Sequence, residues 1–231
     1  MPIKLYLSGH YFEIMLDRNA YYHRVNRRHD IVLPVVTNAG PDKSPGERGN
    51  LGRESKIVVY CAHLSIENSV INRAMRDAVR DLPQVDFRDL HELYPDFYIN
   101  TATEQALLRN ADLIVFQHPI YWYAAPAIFK HFMDTVLLHG FAYGPGGTAL
   151  HGKDFLLAVS TGAPAEEYGP GGIHHYPLER LMLPIEQTAR FCGMRFMQPL
   201  VLHDGHSLPA DVVAAHATRY RQLLEDYRPA G

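Results

Sequence analysis

From Lys56 onward the chain alternates short apolar runs with amphipathic stretches, five times over, and this alternation is what most limits how it can fold. Ile57–Cys61 is a β-branched run, and residues 68–80 follow with helical spacing, Val70, Ile71, Ala74, Ala78 and Val79 on the apolar side. Residues 85–90 alternate like a half-exposed strand. Residues 103–109 read as a helix opened by a Thr101/Thr103 cap, with Glu104 in its first turn. Residues 113–116 form a third strand. They are followed by a helix over 126–138 with Ile128, Phe129, Phe132, Met133, Val136 and Leu137 at core spacing. Residues 155–160 give a fourth strand and 177–192 a fourth helix, which Gly193 closes. Residues 195–201 give the fifth strand and 209–227 the last amphipathic helix. Strictly alternating β and α elements require a parallel sheet with helices on both faces, joined by right-handed crossovers.

Five such units suit the flavodoxin-like strand order 2-1-3-4-5, in which a ligand sits at the carboxyl ends of strands 1, 3 and 4. In this chain those ends are the loops after Cys61, Phe116 and Ser160, where the unusual residues also collect. The second of these carries Tyr121, the single tryptophan Trp122, and Tyr123, before Pro126 opens a helix. Three aromatic rings at the edge of a central strand suggest a flat ligand that stacks, and a flavin is the natural candidate. The first loop leads through His63 and Ser69 into a helix that also carries Asn72. A helix N-terminus with such donors can hold a phosphate, although Asn68 or Ser69 can equally be a simple cap. There is no GxxxxGK[ST] and no GxGxxG. The third loop reads Ser160-Thr161-Gly162-Ala163 and continues through Tyr168 to the adjacent pair His174-His175. Small residues and free N–H groups there could bond the polar edge of a ring. Adjacent histidines diverge and have no carboxylate or thiol partner at ligand spacing, so no metal is expected.

Net charge is 22 − 25 = −3, which excludes a basic field for nucleic acid or an anionic membrane. The two cysteines, Cys61 and Cys192, sit in apolar segments and read as core thiols in a reducing compartment. No apolar run approaches bilayer length and no secretory leader is seen, so a cytoplasmic protein is expected, peripheral to a membrane only through a partner. Residues 1–54 do not match the pattern that follows. Residues 3–8 and 31–36 could be short strands, Tyr21–Arg24 and Arg27-Arg28 lie between them, and 38–55 reads as a Gly/Pro-rich linker. The expected division is an N-terminal arm and linker over 1–54 and a flavin-binding domain over 55–231.

The run FQHPIYWYAAPAIFKHFMDTVLLHGFAYGPGGTALHGK, residues 116–153, resembles the flavodoxin-like NAD(P)H:quinone oxidoreductases. It is most similar to the ancillary quinone reductases of bacterial glutathione-gated potassium efflux systems, and similar also to mammalian DT-diaphorase. The resemblance covers about 56–204. It includes Ala62, His63, Ser69 and Asn72 in the first loop, the Ser-Thr-Gly turn, and Phe191-Cys192-Gly193. It implies that His63, Ser69, Val70, Ile71 and Asn72 hold a flavin phosphate. Pro119, Ile120, Tyr121 and Trp122 would run along the isoalloxazine, and Ser160, Thr161, Gly162 and Ala163 would line its pyrimidine side. Tyr168 and His174 fall at the spacing of a Tyr/His pair that relays charge in the mammalian enzyme, and Tyr123 and Phe141 would make an apolar wall for a quinone. One departure is Ala163, where the family commonly has glycine. The implied activity is two-electron, ping-pong hydride transfer from NAD(P)H (NADPH or NADH) through FMN, or FAD, to a quinone, in a homodimer. A regulatory ancillary subunit of a potassium efflux transporter, retaining the flavin site, is the second function implied, and a flavodoxin-type electron carrier the third.

Overall fold

In the computed structural model the described residues are 3–7, 10–14 and 55–229. The chain divides into two units, Met1–Arg48 and Gly49–Gly231. In the first, strands β1 (Ile3–Leu7) and β2 (His10–Ile14) pair antiparallel, with Ile3 opposite Ile14 and Leu7 opposite His10. The first strand matches the sequence expectation; the second was not foreseen. The strand expected over 31–36, Tyr21–Arg24 and Arg27-Arg28 lie outside the described residues.

The second unit is an α/β sandwich. Its strands are β3 (Ile57–Cys61), β4 (Val85–Asp89), β5 (Leu113–Pro119), β6 (Asp154–Ser160), β7 (Arg195–Phe196) and β8 (Leu200–Leu202). Its helices are α1 (Val70–Val79), α2 (Leu90–Leu93), α3 (Thr101–Asn110), α4 (Ala127–Val136), α5 (Leu178–Phe191) and α6 (Ala210–Glu225). The sheet is parallel throughout, in the order β4-β3-β5-β6-β7, with β8 also on β6. Counted from β3, this is the 2-1-3-4-5 order that the alternation predicted.

The β3, β5 and β6 strands are buried along their whole length. A strand covered on both faces must be apolar on both, which is why these read as continuous runs. One face packs Tyr60, Phe116 and Leu157 against Phe129, Phe132 and Met182 of α4 and α5. The other packs Val59, Val115 and Leu156 against Met75, Tyr220 and Leu224 of α1 and α6. Each fully buried Leu or Phe here contributes about 1.5–3 kcal/mol relative to exposure.

Several boundaries differ from the sequence reading for physical reasons. The β5 strand does not end at Phe116. Gln117 and His118 are polar and look like loop, yet both are fully buried. Gln117 Nε2 donates to the Asn72 carbonyl at 2.9 Å, and His118 Nδ1–H donates to the Pro119 carbonyl at 2.9 Å, so both polar side chains find acceptors inside. The cap of α3 is Asn100, whose side chain accepts from the Thr103 N–H, not a threonine. The expected strand over 195–201 is broken in two at Met197–Pro199, because Pro199 has no N–H for the ladder. Val70 is exposed, and Met75 takes its place in the core. Glu104, read as a first-turn acid, is fully buried; it accepts from Tyr60 Oη at 2.8 Å, from Arg88 Nη2 at 2.5 Å and from the Tyr94 hydroxyl. Gly193 closes α5 at φ +77°, and a Cβ there would run into the His151 ring. Both cysteines are free and buried, and burial pushes each thiol's pKa up. Among the described residues no helix is long and apolar enough to cross a membrane.

Candidate functional site

Three loops meet at the carboxyl edge of the sheet, and hydrogen bonds tie them together. The first begins at Ala62, whose N–H donates to the Gln117 carbonyl at 3.0 Å. It ends at Ser69, which caps α1 by accepting the Asn72 N–H at 3.1 Å. The cap satisfies one first-turn donor; helix geometry leaves the N–H groups of Val70 and Ile71 without an intrahelical acceptor. Asn72 is buried and its Nδ2 donates to Ser160 Oγ at 2.9 Å, linking α1 to the end of β6. Asn72 Oδ1 and Gln117 Oε1 are buried and have no partner. Both acceptors lie at this edge, where a bound group could meet them.

His63 is placed differently from its expected role. Its Nδ1 accepts from the Ser65 N–H at 3.1 Å, which leaves the proton on Nε2, directed at the Tyr121 hydroxyl 3.1 Å away. Burial holds its pKa below the usual histidine value, so the ring is neutral near pH 7. The imidazole thus buttresses the first loop on the second, and its N–H is committed to Tyr121 rather than free for a phosphate.

The second loop continues the β5–β6 ladder one step past Pro119, with the Ile120 N–H on the Ser160 carbonyl at 2.8 Å. Tyr121 and Ala124 then exchange both backbone hydrogen bonds, at 2.9 and 3.1 Å. The residues between them, Trp122 and Tyr123, have φ of 47° and 65°. Positive φ at both central positions is the signature of a type I′ turn, normally given to Asn-Gly. Here a Trp and a Tyr occupy it. Trp122 is 92% exposed and Tyr123 half exposed, so packing within the chain does not explain the strain.

In the third loop, Thr161 is buried; its N–H donates to the Leu202 carbonyl at 3.1 Å and its hydroxyl to the Ala163 carbonyl at 2.8 Å. Gly162 does not serve only to let a ring approach. A Cβ there would lie 3.0 Å from His206 Nε2, so the loop after β8 fills that space. That fourth loop, with His203, Asp204, Gly205 and His206, was missed in the sequence. Its only local signal was the cluster of His, Asp and Gly after an apolar run. The Asp204 and Gly205 N–H groups donate to the Ala163 and Thr161 carbonyls at 3.0 and 2.9 Å.

Tyr168 and His174 come together as their spacing implied, but as a stack: ring centroids are 4.5 Å apart with planes at 23°. Tyr123 meets His174 edge-on at 5.6 Å. Both ring nitrogens of His174 are buried without a partner. Burial raises the Tyr168 pKa, and the Thr161 hydroxyl beside it pulls the other way. Phe141 is a correction: it lies in the core, 3% exposed, under the Arg109 guanidinium, and is not a wall of this site. Among the described residues no group of three or more His, Cys, Asp or Glu side chains is placed to hold a metal ion.

A family model described as "Flavodoxin-like fold" matches residues 55–224. The chain belongs to this flavodoxin-like family. It is 40% identical over 175 residues to the glutathione-regulated potassium-efflux system ancillary protein KefG of Yersinia enterocolitica, covering 76% of this chain and 95% of that protein. Among solved structures, the general stress protein 14 of Treponema denticola, in complex with FMN, is 34% identical with a TM-score of 0.70, over 74% of this chain and 98% of the other. An NADPH-quinone reductase from P. pentosaceus is 28% identical with a TM-score of 0.68, over 75% and 99%. These flavodoxin-like relatives bear out the sequence resemblance to the ancillary proteins and quinone reductases.

Proposed function

We propose that this chain is a flavin-dependent NAD(P)H:quinone oxidoreductase that binds FMN. The observation that carries this reading is the convergence of an open helix N-terminus, a strained aromatic turn and a hydroxyl-braced small-residue turn, cross-linked by Asn72–Ser160 and His63–Tyr121. The relative with FMN in its structure supports FMN over FAD.

The residues present fit such a group. The N–H groups of Val70 and Ile71, with Ser69 and the positive end of the α1 dipole, suit a phosphate dianion. The stretch from buried Pro119 through half-buried Ile120 and Tyr121 to exposed Trp122 suits one side of a planar ring system. The Ser160–Ala163 turn offers polar edges to a pyrimidine, and Asn72 and Gln117 have unspent acceptors nearby. When bound, a flavin would supply two-electron hydride acceptance from a nicotinamide and hydride donation to a quinone. The chain's own part is position and electrostatics. Tyr168, kept protonated by burial, holds a hydroxyl donor beside the third loop, where negative charge would be stabilised. Trp122 and Tyr123 present apolar surface that would exclude water from a bound ring. A homodimer, as the resemblance implies, would cover Trp122.

The test is NADPH and NADH oxidation by the full chain loaded with FMN, with and without a small quinone. Quinone-dependent turnover supports the reading; FMN retention without turnover contradicts it. A second reading starts from the Yersinia relative, named an ancillary protein of a glutathione-regulated potassium-efflux system: this chain would be a regulatory ancillary subunit of a potassium efflux transporter that retains the flavin site. A folded variant that binds FMN but does not turn over separates the two. If it still activates efflux, the chain is chiefly regulatory; if efflux activation is lost, the enzyme activity is what matters.

A further inference from the structure

The Tyr168–His174 pair is stacked, and that geometry bears on which histidine can act on the tyrosine. The imidazole N–H directions lie in the ring plane. With the planes at 23° and the centroids at 4.5 Å, those directions run alongside the phenol face and miss its hydroxyl. A second histidine also faces the Tyr168 ring. His203 lies at the end of β8, its ring 5.7 Å from that of Tyr168, and its Nδ1 is 3.0 Å from Thr161 Oγ1. The Thr161 hydroxyl proton is already given to the Ala163 carbonyl at 2.8 Å. Its oxygen is therefore left to accept, so His203 carries its proton on Nδ1 and donates. Thr161 is also the side chain that pulls the Tyr168 pKa down.

We propose that His203, acting through the Thr161 hydroxyl, is the positioning residue for the Ser160–Ala163 turn and the histidine that Tyr168 responds to, in place of His174. The reading rests on the proposed quinone reductase site. Both the neutral Nδ1–H form and the imidazolium of His203 donate to Thr161, so the turn keeps its shape as pH changes. What changes is the charge beside Tyr168. The groups that face His203 are Tyr168 and Thr161, Glu166 in the 165–167 turn and Glu179 on α5. Burial lowers the His203 pKa and the two carboxylates raise it, with burial prevailing. Near pH 7 the ring is neutral, and acidification places a cation against the tyrosine.

The test is nuclear magnetic resonance of the full chain with carbon-labelled tyrosine, the Tyr168 signal being assigned by its absence in Tyr168→Phe. The wild type is titrated from neutral to acid pH beside His203→Asn and His174→Asn. Asparagine keeps an N–H donor where Nδ1 stands but cannot take up a proton. The expected result is a step in the Tyr168 signal in the wild type that persists in His174→Asn and shrinks in His203→Asn. The amides of Asp204 and Gly205 should keep their exchange protection in His203→Asn and lose it in His203→Ala. A step that keeps its full size in His203→Asn, that vanishes in His174→Asn, or that is missing from the wild type overturns the proposal. Should His203→Asn fail to fold, Thr161→Val replaces it, and the step must then shrink. None of these signals needs turnover: a protein inactive with quinones that shows the step loses the functional reading and keeps this one.

Discussion

Trp122 sits at φ 47° on a surface turn with 92% of its area exposed, and replacing it with asparagine separates stability from function. The left-handed region costs an ordinary L-residue roughly 1–2 kcal/mol, and asparagine much less because its short amide bonds locally. The side chain buries almost nothing within the chain, so little packing is lost. Trp122→Asn should therefore stabilise the chain by about 1 kcal/mol. For a domain of this size that raises Tm by about 2–4 °C. The strain would be the cost of presenting the indole to a ligand, so FMN affinity and quinone turnover should fall at least about tenfold, or about 1.4 kcal/mol. Thermal unfolding without added flavin, followed by circular dichroism, reads the first effect, and flavin fluorescence quenching the second. A Tm that drops by several degrees would refute the reasoning, because it would mean that Trp122 is packed in the free protein.

Three other outcomes follow from the same geometry. Ser69→Ala should cost about 1 kcal/mol by removing the α1 cap, whereas Ser69→Asp should keep the cap and weaken FMN binding at least about tenfold by setting a carboxylate against the phosphate; urea unfolding and flavin titration give the two numbers. Glu104→Ala should lower stability by about 3–5 kcal/mol in urea unfolding, since it strands Arg88 and the Tyr60 and Tyr94 hydroxyls without their shared acceptor. His118 has its pKa lowered by burial to about 4, so the unfolded chain takes up the proton first as pH falls. Its contribution is fully present above about pH 6.5 and is lost progressively down to about pH 4, a loss of about 3 kcal/mol. His118→Asn should flatten that part of the stability profile measured by urea unfolding, and an unchanged slope would assign the acid sensitivity to other groups.

The sheet order was legible because strands covered on both faces have to be apolar throughout, and β3, β5 and β6 advertise this in consecutive residues. The three loops could be located for the same reason: once the order is known, the strand ends are known. What could not be read was polar burial. Gln117 and Glu104 look like surface residues until their partners, which lie 45 and 10–44 positions away, are brought up by the fold, and His118 is buried on the carbonyl of its own neighbour Pro119. His63 and Phe141 show the limit of carrying roles by likeness. A histidine in the right loop can be spent on its neighbour Tyr121, and a phenylalanine in a family motif can be core. The fourth loop was invisible because nothing local marks His203 and His206 as neighbours of Thr161 and Gly162. Only the pairing of β8 with β6 puts them there.

The claim that matters most is that these loops make a flavin site that passes hydride from a nicotinamide to a quinone. The direct measurement is the nicotinamide absorbance during turnover by the FMN-loaded full chain, with quinone added after NADPH. The account predicts sustained NADPH loss that starts with the quinone and stops when the quinone is used up. FMN bound at the site, with no quinone-dependent loss from either NADPH or NADH, would contradict it.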